Sequence, residues 1–145
     1  MGLRICFRKA EDFVFLSTYM GNDFFRFRQF TVHQASAAMK VGVDSVLLGA
    51  WANIEGVSHV LDVGTGTGLL ALMMAQRIPD AVIDAVEIDK ETCRQALENV
   101  VGSPWAERIK IICDDFRNFA NQCGDRYDLI ICNPPFFTAS FNLAR

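Results

Sequence analysis

At 145 residues, with 51% hydrophobic and 21% charged side chains, the chain has the size of one domain and a globular composition, which excludes disordered and repeat architectures. No apolar run approaches the roughly 18 to 20 residues a membrane span requires, and Arg4, Arg8 and Lys9 interrupt any signal-like start, so a cytoplasmic protein is expected. The net charge of −3 is uneven: residues 1 to 40 carry six basic and three acidic side chains, the remainder eight and fourteen.

In chain order, residues 1 to 24 carry no motif; Phe13, Val14, Phe15 and Leu16 fit a short strand or a helix turn, and the segment is read as an N-terminal extension. A domain from 25 to 145 follows. Residues 25 to 32 (Phe-Arg-Phe-Arg-Gln-Phe-Thr-Val) alternate aromatic and polar side chains, which predicts a half-exposed strand or hairpin arm. Arg26 and Arg28 belong to the basic leading segment, which is either the electrostatic footprint of a nucleic-acid substrate or a merely solvated stretch. Asp44 is placed to cap a helix beginning at Ser45 and running through Val46, Leu47, Leu48, Ala50 and Trp51.

Beyond Gly56 short apolar runs alternate with helical patterns. Residues 59 to 63, 81 to 87, 109 to 113 and 127 to 132 predict strands, because each is short and bordered by turn chemistry. Residues 69 to 77 and 90 to 101 have helical spacing, the second closed by Gly102 with Pro104 beyond it. The pattern predicts an α/β fold: a Rossmann-like parallel sheet of about four core strands with helices on both faces, preceded by the strand or hairpin arm. Ligands of such sheets sit outside the carboxyl ends of the strands.

Two motifs fall at such ends. In Asp62-Val63-Gly64-Thr65-Gly66-Thr67-Gly68 the glycines let the chain turn sharply and bring backbone amides close to a ligand. A dinucleotide loop would need its third glycine at position 69, which is Leu69, and a phosphate-binding Gly-Lys pair is absent from the sequence. Asp62 would repel a pyrophosphate but suits the cationic amino end of S-adenosylmethionine, so Gly64, Gly66 and Gly68 are assigned to that cofactor. Glu87, about twenty residues on, ends the second strand where a carboxylate accepts from ribose hydroxyls, while Asp89 fits a helix cap. After the third strand, Asp115 is favoured as acceptor from the adenine amine with Phe116 against the ring; one of Asp114 and Asp115 caps a helix.

The second motif is Asn133-Pro134-Pro135-Phe136-Phe137. The amide oxygen of Asn133 and the carbonyl of Pro134 are two acceptors without competing backbone donors, since proline has no N–H. They would take both protons of a planar amine and turn its lone pair toward a methyl group. Phe136 and Phe137 would stack on a flat substrate such as a flipped base.

Five cysteines (Cys6, Cys93, Cys113, Cys123, Cys132), odd in number and without a C-x-x-C pair, are read as reduced, mostly packed thiols, and no metal is implied.

The glycine loop, Glu87, Asp115 and Asn133-Pro134-Pro135-Phe136 resemble the ordered motifs of class I S-adenosylmethionine-dependent methyltransferases that modify exocyclic or amide nitrogens. With residues 25 to 30, 38 to 44, 47 to 51 and 103 to 109, the resemblance extends to the bacterial tRNA (adenine-N6) methyltransferase family that modifies the adenine beside the anticodon of a valine tRNA. It implies a tRNA substrate, one S-adenosylmethionine, and a segment including Lys40, Gly42 and Asp44 that closes over the cofactor's methionine end. Glutamine-amide methyltransferases of release factors and guanine-N2 enzymes of ribosomal RNA share the Asn-Pro-Pro pattern and remain alternatives, as does a non-catalytic cofactor-binding or assembly module. Members of the resembled family continue well past this motif, so an incomplete sheet is expected here, with weak or no turnover only if the protein does not continue beyond Arg145. The strand at 127 to 132, apolar on both faces, would then be an edge open to self-association.

Overall fold

The computed structural model describes residues 23–37, 39–124 and 127–134; the expectations for 1 to 22 and for Pro135, Phe136 and Phe137 lie outside them. The aromatic segment forms a hairpin: β1 (Phe24–Arg26) pairs antiparallel with β2 (Thr31–His33), Phe24 opposite His33 and Arg26 opposite Thr31. A single strand across this segment is not what forms. Phe27 N–H donates to the Phe30 carbonyl at 2.8 Å, and their rings stack at 4.5 Å, bringing together residues that a continuous strand would point to opposite faces. Phe30 also meets Trp105 edge-on at 5.6 Å, and Phe30 and Val32 are buried in the core.

Helix α1 (Val43–Trp51) starts two residues earlier than the sequence suggested, with Gly42 as N-cap and no side-chain cap bond. Asp44 therefore does not cap it. It lies exposed in the first turn, where its charge complements the positive end of the helix. The chain then alternates through β3 (His59–Val63), α2 (Leu69–Arg77), β4 (Val82–Glu87), α3 (Lys90–Val101), a 3-10 turn (Ala106–Arg108), β5 (Ile109–Cys113), α4 (Phe116–Gln122) and β6 (Leu129–Cys132).

The last four strands form one parallel sheet in the order β5-β4-β3-β6. Right-handed crossovers carry the chain from β3 outward to β4 and β5 with α2 and α3 on one face. The return to β6 on the far side of β3 puts α4 on the other. The direction of winding thus reverses between β3 and β6, which opens a crevice at the carboxyl ends of those two strands.

Packing centres on α2, whose residues Leu69, Leu70, Ala71, Leu72, Met73, Met74 and Ala75 are all buried between the sheet and α1. Each fully buried Leu or Met there contributes about 1.5–3 kcal/mol. Helix α1 approaches closely through Gly49, where an added Cβ would lie 2.5 Å from Met73 Sδ. Two arginines then close helix ends belonging to other elements. Arg77 of α2 donates to the carbonyls of Gly49 and Ala52 at 2.7 and 3.0 Å, and Arg108 donates to those of Ala75, Ile78 and Ala81 at 2.6, 3.0 and 2.8 Å. All but that of Ala81, which lies in the turn before β4, are carbonyls that a helix terminus leaves without intrahelical donors.

Strand β6 begins at Leu129, and the two residues before it anchor its start, with Asp128 N–H donating to the His59 carbonyl of β3 at 3.0 Å. The Tyr127 hydroxyl donates to Asp84 at 2.7 Å, and Asp128 accepts from both Ser58 N–H and His59 N–H at 2.9 Å and from the Ser58 hydroxyl at 2.8 Å. Among the described residues β6 pairs only with β3, and Ile130 is 62% exposed. The described cysteines are free thiols, but they are not mostly packed: Cys93 is buried, whereas Cys113 and Cys132 are exposed where they end β5 and β6. No helix among the described residues is long and apolar enough to cross a membrane.

Candidate active site

The pairing of β3 with β6 sets the site. Val63 pairs with Cys132, so the next residues, Gly64 and Asn133, leave the sheet side by side in the crevice. Gly64, Gly66 and Gly68 have φ of 68°, 58° and 82°, the left-handed region that only glycine adopts without strain. A Cβ on Gly64 or Gly66 would meet no heavy atom within 4 Å, so these positions border open space that a ligand can fill. Gly68 differs. A Cβ there would meet Ala96 of α3 at 3.7 Å, so the glycine expected to face a ligand instead turns the chain into α2 against α3.

The cleft is lined by Met39 and Lys40 from the segment before α1, by Gly64, Thr65 and Gly66 of the loop, and by Asn133. The expected segment, loop and amide motif thus converge on one concavity. Lys40 lines it, while Gly42 and Asp44 lie exposed at the start of α1. The donor set suits S-adenosylmethionine in kind: backbone amides on a positive-φ turn, a carboxylate at the end of the next strand, and acceptors at the amide motif.

Asp62 lies beneath the loop, not on its open side. It is fully enclosed, and its Oδ2 accepts from the Thr65 hydroxyl at 2.6 Å and from Ala71 N–H at 3.1 Å. Its Oδ1 has no hydrogen-bond partner. Burial pushes its pKa up to about 6, against the opposing pull of Thr65 and Ala71. The expected direct contact with a cofactor amine is therefore replaced by a brace that ties the loop to the first turn of α2. Glu87, half-buried, accepts Gly66 N–H through Oε2 at 3.0 Å and both Ile88 and Asp89 N–H through Oε1 at 2.9 and 3.1 Å, which fixes its carboxylate against the glycine loop.

Asp89 caps α3 as expected, accepting from Thr92 N–H at 2.8 Å. Asp115, favoured for the adenine amine, is itself the N-cap of α4 and is gripped by Arg117 at 2.6 and 3.1 Å. These bonds hold its pKa down at about 2. Asp114 accepts the N–H of Asp115 at 2.7 Å, so the capping assignment falls on the opposite member of the pair from that expected. Phe116 remains 40% exposed beside this turn.

Three polar residues escaped sequence reasoning. Gln34 accepts Val41 N–H at 2.9 Å and so holds the segment that lines the cleft. Asn99 bonds the loop and the hairpin, and Ser45 accepts from Asn133 Nδ2 at 2.7 Å. The Asn99 and Ser45 contacts span fold elements, the Gln34 contact closes the connection between β2 and α1, and no local pattern announces any of them.

A family model, the methyltransferase small domain, matches residues 38–143. The chain belongs to this family. The methyltransferase small domain here is similar to the tRNA1(Val) (adenine(37)-N6)-methyltransferase of Bacteroides thetaiotaomicron, at 53% identity over 124 residues, 85% of this chain and 52% of that protein. The chain spans about half the length of the curated relatives it matches. Among solved structures, a putative O-methyltransferase from Klebsiella pneumoniae superposes with TM-score 0.57 at 21% identity, covering 66% of this chain and 46% of that one. TrmK of M. capricolum, solved in complex with S-adenosyl-homocysteine, gives TM-score 0.55 at 17% identity, covering 65% and 41%. These two likenesses show the Rossmann-like methyltransferase fold, with its parallel four-strand sheet and helices.

Proposed function

We propose that this chain is the S-adenosylmethionine-binding, amine-orienting part of an N-methyltransferase that acts on adenine N6 in tRNA beside the anticodon, in the cytoplasm. One observation carries the reading: Asn133 stands one residue beyond the Val63–Cys132 pair, against the glycine loop and in the same cleft. The relatives' names narrow the acceptor to adenine in tRNA1(Val). Residues 25 to 145 make up the methyltransferase domain. The family model begins later, at 38, but Asn99 of α3 bonds both the N–H and the carbonyl of His33, which ties the hairpin to the same body.

Bound S-adenosylmethionine supplies an electrophilic methyl group on a sulfonium. The chain's contribution is geometric. Gly64 and Gly66 admit the ligand to the backbone, Glu87 accepts from its ribose, Phe116 flanks its adenine, and Lys40 lies over its methionine end. Asn133 Oδ1 and the Pro134 carbonyl accept the two N6 protons, turning the nitrogen lone pair toward the methyl carbon. Transfer of that methyl group would form the N–C bond as the C–S bond breaks, with one amine proton released to solvent. Acceptors that bind better as the nitrogen gains positive charge act on the transition state and not on the ground state. Arg26 on β1 and Arg28 in the hairpin turn extend the site toward tRNA phosphates.

Single-turnover transfer of a labelled methyl group to unmodified tRNA tests this, with release factor and ribosomal RNA as competing acceptors. Label in tRNA that Asn133→Ala abolishes while cofactor affinity stays within about twofold is the expected result. Equal labelling by Asn133→Ala refutes the amine-acceptor role, and label in protein or ribosomal RNA refutes the substrate.

A further inference from the structure

Asn133 enters the cleft immediately after β6, and its amide torsion is intrinsically broad, so the backbone alone does not decide which end of the amide faces the substrate. Its Nδ2 donates to Ser45 Oγ at 2.7 Å, across 88 residues of sequence. A serine in the first turn of a helix commonly bonds only to nearby backbone. Here the hydroxyl oxygen accepts from the amide motif. Ser45 is buried and rigidly mounted, because α1 is pressed onto α2 at Gly49 and its last turn is closed by Arg77.

We infer that Ser45 is a positioning residue for Asn133: it takes up the NH2 end of the amide and leaves the carbonyl oxygen as the end presented to the acceptor nitrogen. This rests on the proposed reading of Asn133 as the amine's acceptor. An inverted amide would set the donor Nδ2 against the donor N–H groups of an adenine amine, so orientation decides whether the clamp attracts or repels. The lever is short. Ser45 also lines the cleft and follows Met39, Lys40 and Val41, which line it too. The wall facing the methionine end and the acceptor amide are therefore referenced to the same helix turn.

The test uses the full chain and four variants: Ser45→Ala, Ser45→Thr, Asn133→Ala and the double Ser45→Ala/Asn133→Ala. Side-chain NH2 resonances of Asn133, assigned by their disappearance in Asn133→Ala, report the hydrogen bond without turnover. Single-turnover methyl transfer to unmodified tRNA reports its consequence. Positioning predicts that Ser45→Ala moves the Asn133 resonances toward those of a free amide and slows transfer about tenfold or more. S-adenosyl-homocysteine affinity stays within about twofold, Ser45→Thr restores both signals, and the double variant is no slower than Asn133→Ala. Resonances unmoved in Ser45→Ala, or wild-type transfer by Ser45→Ala where Asn133→Ala is inactive, overturn the inference. Wild-type transfer by Asn133→Ala, or no transfer by any form, overturns the acceptor reading instead, and the Asn133 resonances still decide whether Ser45 holds the amide.

Discussion

Asn99 donates from Nδ2 to the carbonyl of Thr67 at 2.9 Å, and with the same nitrogen to the carbonyl of His33 at 2.8 Å. Its Oδ1 accepts His33 N–H at 2.8 Å, so one side chain with 2% exposure joins α3, the hairpin and the glycine loop. Removing it leaves the buried Thr67 carbonyl and the part-buried N–H and carbonyl of His33 without their partner, at about 1–3 kcal/mol for a buried unsatisfied group and less for the part-buried ones. Asn99→Ala is expected to lower stability by about 2–4 kcal/mol and to weaken cofactor binding through the loop. Asn99→Asp sets a carboxylate against two carbonyl oxygens, so its deficit should be larger at pH 8 than at pH 5. A deficit independent of pH in urea titrations would refute this account of the site.

Asp62 gives the folded state an unusual pH dependence. Its pKa of about 6, raised chiefly by burial, exceeds the ordinary 3.8, so between these values the folded chain binds more protons than the unfolded one. Stability from this group therefore rises as pH falls from 7 to 5, by about 1 kcal/mol. Asp115 and Asp128, both held down at about 2 by hydrogen bonds, stabilise above 3.8 and lose that contribution only as pH falls toward 2, outside this window. Asp62→Asn should abolish the slope between pH 7 and 5, and denaturant unfolding at pH 7, 6 and 5 measures it. A wild-type slope indistinguishable from the variant's would show that Asp62 does not titrate there.

Gly66 and Gly56 form a matched pair for separating backbone strain from ligand contact. Both have positive φ, 58° and 73°, and at both an added Cβ meets nothing within 4 Å. Alanine at either costs about 1–2 kcal/mol of left-handed strain. At Gly66 alone the new methyl borders the cleft, so Gly66→Ala should weaken S-adenosyl-homocysteine binding at least about tenfold, and Gly56→Ala less than about twofold. Calorimetry beside thermal unfolding tests this, and equal affinities with equal Tm losses would count against the loop as the cofactor cradle.

Arg108 offers a prediction about the core. Its guanidinium serves three carbonyls at and beyond the end of α2, a geometry that a lysine ammonium on a narrower stem does not reproduce. Arg108→Lys is expected to cost about 1–3 kcal/mol by leaving partly buried carbonyls unpaired. Amide exchange should quicken at Ile78 and Ala81 before it does in β3. Uniform acceleration across the sheet would instead mark a global loss of stability.

The alternating part of the fold was legible because its strands and helices carry the apolar patterns themselves: residues 59 to 63, 69 to 77, 90 to 101 and 109 to 113 fall where the pattern set them. The hairpin was legible only as one of two options, because the aromatic and polar pattern of residues 25 to 32 says nothing of the turn that stacks Phe27 on Phe30. The helix-capping roles around Asp44 and Asp115 were misread for a shared reason. A carboxylate near a helix start satisfies several local patterns, and what decides its role is the competition among Gly42, Arg117 and the helix amides, which is a matter of geometry. In the site, motif spelling named Gly64, Gly66, Glu87 and Asn133, whereas Ser45, Gln34 and Asn99 act on residues from seven to 88 positions away and leave no local trace.

The pairing of Val63 with Cys132 has a consequence for how the site can change. Gly64 and Asn133 are 69 residues apart in the chain, yet a single ladder step decides their separation. Lengthening or shortening the connections at 78–81, 102–105 or 123–128 leaves that distance untouched, provided the two strands keep step. A slip of one residue would shift Asn133 by about 3.3 Å and turn β6 over, burying Ile130 in place of Ile131. The relative position of Gly64 and Asn133 is thus written in ladder register, and the connections at the amino ends of the strands are free to change length without moving it.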